Sequence, residues 1–484
     1  MAPMRIAMVA SECEPFAKTG GLADVVDALS RALKRLGHEV DVYLPRYRGV
    51  EPPGPADTLH LSVPEGAGQV AAVRLLSAPA DGYRLRLVDH PPYYDRPDFY
   101  VADGADYADN GARFALLGRT ALEAMRAEGA PADIVHAHDW EGAPALLLLR
   151  HRYRRDELVG GAAAVLTCHN LAYHGWVPRH AVGTQLDLPG WLGFPEGVDL
   201  LREGILGADM VNTVSPGYAR ESTVDGYGGG VEDALRSLGD RYVGILNGLD
   251  TELWDPARDP AITAPYSAAE PAGKDACRAA LCAELGLDPD GPLLAMVSRL
   301  DPQKGFDLLT AAAPSLIGDG ARLCVLGTGD HSLVAELHWA AGHYPDRLRI
   351  EERFDRHLAR RIYAGADAFM MPSRFEPCGQ GQMIAMRYGT LPIVRSTGGL
   401  ADTVLDADAD PAAGNGFTFG PADPSALLDA CRRAMAALAD PPRRRELQLH
   451  AMAVDWSWDG PAREYERLYR QALDVGAGHA MDGR

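Results

Sequence analysis

The stretch Thr-Gly-Gly-Leu-Ala-Asp-x-Val occurs twice in this chain, at residues 19–26 and again at 397–404. In both places a short apolar run comes shortly before it and a helical pattern follows. Gly20 and Gly21 in the first copy, and Gly398 and Gly399 in the second, would let backbone approach a ligand closely. The helix N-terminus beyond each pair supplies partial positive charge. The chemistry indicated is the holding of an anion, and two such turns suggest two similar α/β domains sharing one anionic ligand. Lys18 adds a cation before the first copy, where the second has Ser396.

Further polar clusters end apolar runs in the same way. His136-Ala137-His138-Asp139-Trp140 and Thr167-Cys168-His169-Asn170 do so in the first half. In the second half the clusters are Ser298-Arg299-Leu300 with Lys304-Gly305, Leu326-Gly327-Thr328-Gly329-Asp330, and residues 373–379 with Glu376 and Cys378. His136 and His138 share a strand face as metal ligands would. No third ligand at a usual spacing accompanies them, so no metal site is expected. The glycine-rich turn around Gly327 stands alone and does not establish a nicotinamide site.

The elements that must position these groups follow from periodicity. Residues 5–10, 39–44, 133–137, 163–167, 209–213 and 243–246 read as strands. The helix over 21–36 carries Leu22, Val25, Val26, Leu29, Leu33 and Leu36 on one face. After a Pro-rich stretch over 254–273 the pattern restarts with strands at 293–298, 322–326, 347–351, 367–371 and 392–395. Apolar strands alternating with helices predict parallel sheets covered on both faces, with ligands outside the carboxyl ends of the strands. The tail from Pro461 reads as an amphipathic helix with Tyr465, Leu468, Tyr469 and Ala472 on one face.

Bulk properties narrow the function classes. A chain of 484 residues exceeds one ordinary core, so two domains are expected. A net charge of −20 argues against nucleic acid or an anionic membrane as the main partner. Seven cysteines form no metal-spaced set and read as reduced thiols in a cytoplasm. No run is long enough to span a bilayer.

Together the stretches Lys18–Val25, Thr167–Tyr173, Asn247-Gly248-Leu249-Asp250, Ser298-Arg299-Leu300 with Lys304-Gly305, and 373–379 resemble bacterial glycogen synthase and plant starch synthase, nearly end to end and in order. The resemblance implies an α/β fold of two Rossmann-like domains facing a central cleft (the GT-B type). The domains would be residues 1–246 on the acceptor side and 247–455 on the nucleotide-sugar side. A C-terminal helix in 456–484 would cross back to the first. It also implies transfer of glucose from ADP-glucose to the non-reducing-end 4-hydroxyl of an α-1,4-glucan, with retention and with no metal or other cofactor. Alternatives are a non-catalytic glucan-binding paralogue, or a UDP-glucose-using enzyme of the same fold. Oligomeric state, primer length and allosteric control stay open.

By this resemblance Arg299 and Lys304 bind the donor phosphates, and Lys18 lies near those phosphates or the acceptor. His169 hydrogen-bonds the donor glucose, with Asn170 beside it, and Asn247 is a sugar contact. Glu376 lies close to the transferred glucose. Asp139 would offer the glucan a carboxylate or cap a helix start, and Asp24 belongs to the first glycine motif. Phe354 stands where the family has an aromatic stacking on adenine, with core packing as the competing reading. Gly327, Cys378 and Gly379 complete the substrate-binding set, while Gly398 and Gly399 would present amides to the nucleotide sugar. Gln380-Gly381 replaces the family's commoner Leu-Thr, removing a threonine hydroxyl.

Overall fold

The computed structural model describes residues 2–102 and 104–482. The chain forms two compact units: Met1–Gly248 together with Trp458–Arg484, and Leu249–Ser457.

The first unit is built on a nine-stranded sheet. Its strands are β1 (Arg5–Val9), β2 (Glu39–Pro45), β3 (Asp57–Pro64), β4 (Val70–Pro79), β5 (Arg84–Asp89), β6 (Ile134–His138), β7 (Ala163–Cys168), β8 (Met210–Thr213) and β9 (Tyr242–Gly244). The spatial order is β9-β8-β7-β6-β1-β2-β5-β4-β3. From β9 to β5 every pairing is parallel, whereas β5–β4 and β4–β3 are antiparallel. Composition explains the difference. β6 and β7 are buried along their whole length and apolar or uncharged, as a strand covered on both faces must be. β4 instead alternates buried Ala71, Val73 and Leu75 with exposed positions, the mark of a strand wetted on one face. This antiparallel edge is an addition that the sequence reading did not foresee.

The second unit holds a six-stranded, all-parallel sheet: β10 (Leu293–Val297), β11 (Arg322–Leu326), β12 (Leu348–Glu351), β13 (Ala368–Met371), β14 (Leu391–Arg395) and β15 (Phe417–Phe419). The order is β12-β11-β10-β13-β14-β15.

Both sheets reverse their winding direction once. In the first, the chain moves outward one way from β1 to β2 and the other way from β1 to β6. In the second, β10 is flanked by β11 and β13. Loops leaving neighbouring carboxyl ends at such a point diverge and open a crevice. The crevice-forming loops are 10–20 and the Asp139 turn in one unit, and 298–305 and 372–380 in the other.

The helix Asp459–Asp482 joins the first unit through its buried face. Tyr465 and Tyr469 are fully buried, and a polar chain ties them to the sheet. Asn212 Nδ2 donates to Tyr465 Oη at 3.0 Å, and Thr167 Oγ1 donates to Asn212 Oδ1 at 2.7 Å. With that hydroxyl proton committed, His136 Nε2 must donate to Thr167 Oγ1 (2.6 Å), leaving Nδ1 to accept from Tyr469 Oη (2.9 Å). The imidazole is therefore neutral, and burial lowers its pKa to about 3. Among the described residues no helix is long and apolar enough to cross a membrane.

Candidate active site

In the first unit the glycine loop is latched by a carboxylate. Glu12, 4% exposed at the end of β1, accepts from Thr19 N (2.5 Å), Thr19 Oγ1 (2.5 Å) and Gly20 N (3.1 Å). Tyr100 Oη reaches the same carboxylate at 2.7 Å and Ser11 Oγ at 3.0 Å. The Gly20 amide, with that of Thr19, already holds an anion belonging to the chain. Gly21 begins the helix Gly21–Arg35. The Lys18 ammonium lies 2.5 Å from Asp24 Oδ1 and 3.4 Å from Glu14 Oε2, so Asp24 serves the lysine.

At the neighbouring strand ends, Asp139 takes a positive φ of 52° and turns its carboxylate onto the amides of His169 (2.6 Å) and Asn170 (3.4 Å). It thus stitches the end of β6 to the end of β7 instead of capping its own helix. Burial pushes the Asp139 carboxyl up against the pull of those amides. Glu141, buried and facing the Asp139 charge, is raised as well. Asn170 Oδ1 accepts from Ala172 N at 3.0 Å and fixes the turn beyond. The rings of His169 and His138 stack at 5.3 Å, with His169 Nε2 and His138 Nδ1 3.0 Å apart. One imidazole donates to the other, which leaves His169 Nδ1 as the nitrogen for an incoming hydroxyl. Desolvation lowers His169 to about 3 and keeps it neutral. Asn247 is 6% exposed and its Oδ1 has no partner among the described residues. A buried, unsatisfied acceptor is costly unless a ligand or water meets it.

In the second unit charged side chains gather at the carboxyl ends of β10 and β13. Lys304 Nζ lies 2.6 Å from Glu376 Oε2, and Ser373 Oγ donates to the same oxygen at 3.0 Å. The side chains are 16% and 7% exposed, so this is a nearly buried ion pair. The following helix, Gly381–Arg387, begins five residues after Glu376, so the carboxylate is held by the loop. Two loops are zipped together to hold the pair. Arg374 N donates to Gln303 O (2.7 Å), and Gln303 Nε2 donates to Phe375 O (3.1 Å). Arg374 forks onto Asp307 at 2.8 and 2.7 Å, and the Arg395 guanidinium donates to the carbonyls of Ser373 and Arg374. Arg299 projects into solvent, its side chain 62% exposed, with Asp301 3.3 Å away.

The glycines of this unit permit close backbone packing around the Glu376 loop and at the end of β10. Gly399 N donates to Glu376 O at 3.0 Å, and a Cβ there would lie 2.2 Å from Cys378 O. Its amide fixes the Glu376 backbone and is not presented to a ligand, which corrects the reading of the second repeat. Gly398 is buried beside it. Gly327 passes so close to Ser298 that a Cβ would lie 1.9 Å from that carbonyl oxygen, and its own amide donates to Glu351 O. Cys378 is packed at 5% exposure; its carbonyl and that of Gly379 both accept from Gln382 Nε2 (3.1 and 3.2 Å). Phe354 is 80% exposed, which rules out core packing, and the Arg356 guanidinium lies 6.0 Å from its ring. Among the described residues no group of acidic, histidine or cysteine side chains could hold a metal ion.

Sequence reasoning gave no role to Glu12, His138, Ser373, Gln303, Arg374 or Arg395. The one available signal was position: each sits at or beside a strand's carboxyl end. Nothing in the spacing says which backbone group each one grips.

Doubly wound sheets with a charged site at the switch point place a ligand there without naming it, and similarity to known proteins gives the class. The glycosyl transferases group 1 model matches residues 278–448, and the starch synthase catalytic domain model matches residues 5–237. The glycogen synthase of Syntrophotalea carbinolica is 41% identical over 489 residues, covering 98% of this chain and 99% of that one. That of Anaeromyxobacter dehalogenans is 43% identical, covering 96% and 99%. The catalytic domain of starch synthase IV from Arabidopsis thaliana, solved with ADP and acarbose, superposes with a TM-score of 0.89 at 33% identity, covering 98% and 100%. Sucrose-phosphate synthase from Thermosynechococcus elongatus, at 20% identity and a TM-score of 0.60, shares the fold. The molecule is a glycosyltransferase of the GT-B fold. The chain belongs to the glycogen synthase and starch synthase family.

Proposed function

We propose that this enzyme transfers glucose from ADP-glucose to the non-reducing-end 4-hydroxyl of an α-1,4-glucan, with retention and without a metal. The observation that carries the reading is the buried Lys304–Glu376 pair at the second unit's switch point, with Arg299 exposed on the same loop. Cleaving a glycosyl–phosphate bond builds negative charge on the departing diphosphate and positive charge on the sugar. Lys304 is a fixed cation for the first, Arg299 is a second cation free to close onto the phosphates from the same loop, and the Glu376 carboxylate suits the positive charge on the sugar. Because zipped loops already hold Lys304 and Glu376, little reorganisation of that pair accompanies reaction. His169, kept neutral, offers Nδ1 to a sugar hydroxyl, and Phe354 offers an open face to adenine. Lys18, held by Asp24 and Glu14, serves the acceptor side of the first unit.

Retaining hydrolases that work by double displacement pair two carboxylates about 5 Å apart. The neighbouring candidates are otherwise committed. Asp307 is forked by Arg374, and Asp301 accepts from Lys304 N beside Arg299. A front-face reaction, in which the leaving phosphate helps deprotonate the acceptor, fits this arrangement better. The seven free, buried cysteines suit a reducing compartment such as the cytoplasm. The test is competition of ADP-glucose against UDP-glucose with glycogen as acceptor. Release of ADP with chain elongation supports the proposal. Preference for UDP-glucose overturns the donor assignment, and glucan binding without turnover overturns the transferase reading.

A further inference from the structure

Three neighbouring strands determine where His169 carries its proton. Met8 on β1 is in register with His136 on β6, and His138 on β6 is in register with Thr167 on β7. Alternation along a strand puts His136 and His138 on one face of the sheet, with Met8 beside them. His169, one residue beyond the end of β7, meets His138 there through stacked rings.

His138 is fully buried, and each of its ring nitrogens has one polar neighbour. Nε2 lies 3.3 Å from Met8 Sδ, and Nδ1 lies 3.0 Å from His169 Nε2. A thioether sulfur has no proton and can only accept. A bare Nε2 would set two lone pairs against each other in a dry interior, so this nitrogen carries the proton and donates to Met8. Burial, with the His136 and His169 rings alongside, holds His138 well below the usual imidazole range. The ring therefore keeps a single proton, and its Nδ1 must accept from His169 Nε2. His169 is neutral too, lowered by burial to about 3. Its one proton is spent on His138, which leaves His169 Nδ1 bare. That nitrogen has no partner among the described residues, and the residue stays partly exposed.

We propose that Met8 and His138 are positioning residues that fix His169 as a hydrogen-bond acceptor, so that its site selects a sugar hydroxyl acting as donor and rejects groups that cannot donate. The inference rests on the proposed function for the identity of the sugar. A free hydroxyl can donate or accept, and the relay makes that choice for it. The hydroxyl proton is then pointed at His169, while its lone pairs stay available to other donors. No change of tautomer is needed as the ligand arrives, so the contact is preorganised. A site built this way disfavours an analogue without the donor, because its own buried acceptor is left unpaired.

The test uses the full-length protein and two readouts. Long-range nitrogen–proton NMR of the ligand-free protein, labelled at histidine, separates a protonated ring nitrogen from a bare one. His138→Gln and His169→Gln assign the signals. Both rings should carry the proton on Nε2, and a proton on His169 Nδ1 in the parent overturns the proposal. Calorimetry then compares ADP-glucose with analogues in which one sugar hydroxyl at a time is replaced by hydrogen or by fluorine. At the position that meets His169 both replacements should weaken binding roughly tenfold, with fluorine, a weak acceptor, no better than hydrogen. Tighter binding of the fluoro analogue than of the deoxy one at that position overturns the acceptor assignment. Met8→Leu nearly conserves volume and removes the sulfur acceptor. It should move part of the His138 proton to Nδ1 and narrow the preference for the hydroxyl severalfold. Unchanged tautomers in a folded Met8→Leu overturn the role of Met8. Should that variant fold poorly, the parent spectrum still decides which imidazole donates. If ADP-glucose does not bind, the donor reading fails while the spectrum still upholds the relay.

Discussion

Replacing Lys304 by Ala separates two roles of one side chain. In the proposed function the ammonium is a fixed cation for the donor phosphates; in the structure it is the counter-charge of Glu376, whose side chain is 7% exposed and also accepts from Ser373 Oγ. Losing a preorganised electrostatic donor costs on the order of 10²–10³ in turnover, or about 3–4 kcal/mol of transition-state stabilisation. Removing one partner of a buried pair costs about 3 kcal/mol in folding stability, because a carboxylate is left nearly dry without a cation. The two costs respond differently to a second change. In Lys304→Ala/Glu376→Gln the stranded charge is gone, so most of the lost stability returns while turnover stays low. Turnover is measured by ADP release from ADP-glucose with glycogen, and stability by chemical denaturation. Near-parental turnover in Lys304→Ala would refute the phosphate role. Recovery of turnover together with stability in the double variant would show that Lys304 acts only by neutralising Glu376.

Three further outcomes are expected. Acidification from about pH 7 to about pH 5 destabilises the first unit through His136. Its folded pKa of about 3 lies below the usual 6.5, so the unfolded chain binds more protons throughout that window, and stability falls as pH falls. The loss is about 2 kcal/mol from this residue, read as the difference between the parent and His136→Gln, and an identical pH dependence of the denaturation midpoint in the two would contradict it. Gly399→Ala places a methyl group 2.2 Å from Cys378 O and disturbs the amide that holds the Glu376 backbone. It should cost about 1–3 kcal/mol and at least roughly tenfold in turnover, and a silent substitution would remove Gly399 from the site. Phe354→Ala, at an 80% exposed position, should raise KM for ADP-glucose by roughly three- to tenfold with an unchanged melting temperature; an unaltered donor KM would leave adenine without its stack.

The alternation of strands and helices was legible because burial on both faces demands unbroken apolar runs, as in β6 and β7. The antiparallel edge was not, because a half-wetted strand such as β4 carries a weaker, period-two signal. Lys304 and Glu376 could each be picked out by their motifs. Their contact across 72 residues follows from the winding order of the second sheet, which brings the carboxyl ends of β10 and β13 side by side.

The repeated Thr-Gly-Gly-Leu-Ala-Asp shows where this division falls. Its glycines, and their place before a helix, are local properties written into the chain itself. What their amides bind is decided elsewhere: Glu12 takes Thr19 and Gly20 in one copy, and the Glu376 carbonyl takes Gly399 in the other. Local spacing sets which backbone groups are left without an intrahelical partner. The partner that satisfies each one arrives through tertiary packing, which the local spacing does not encode.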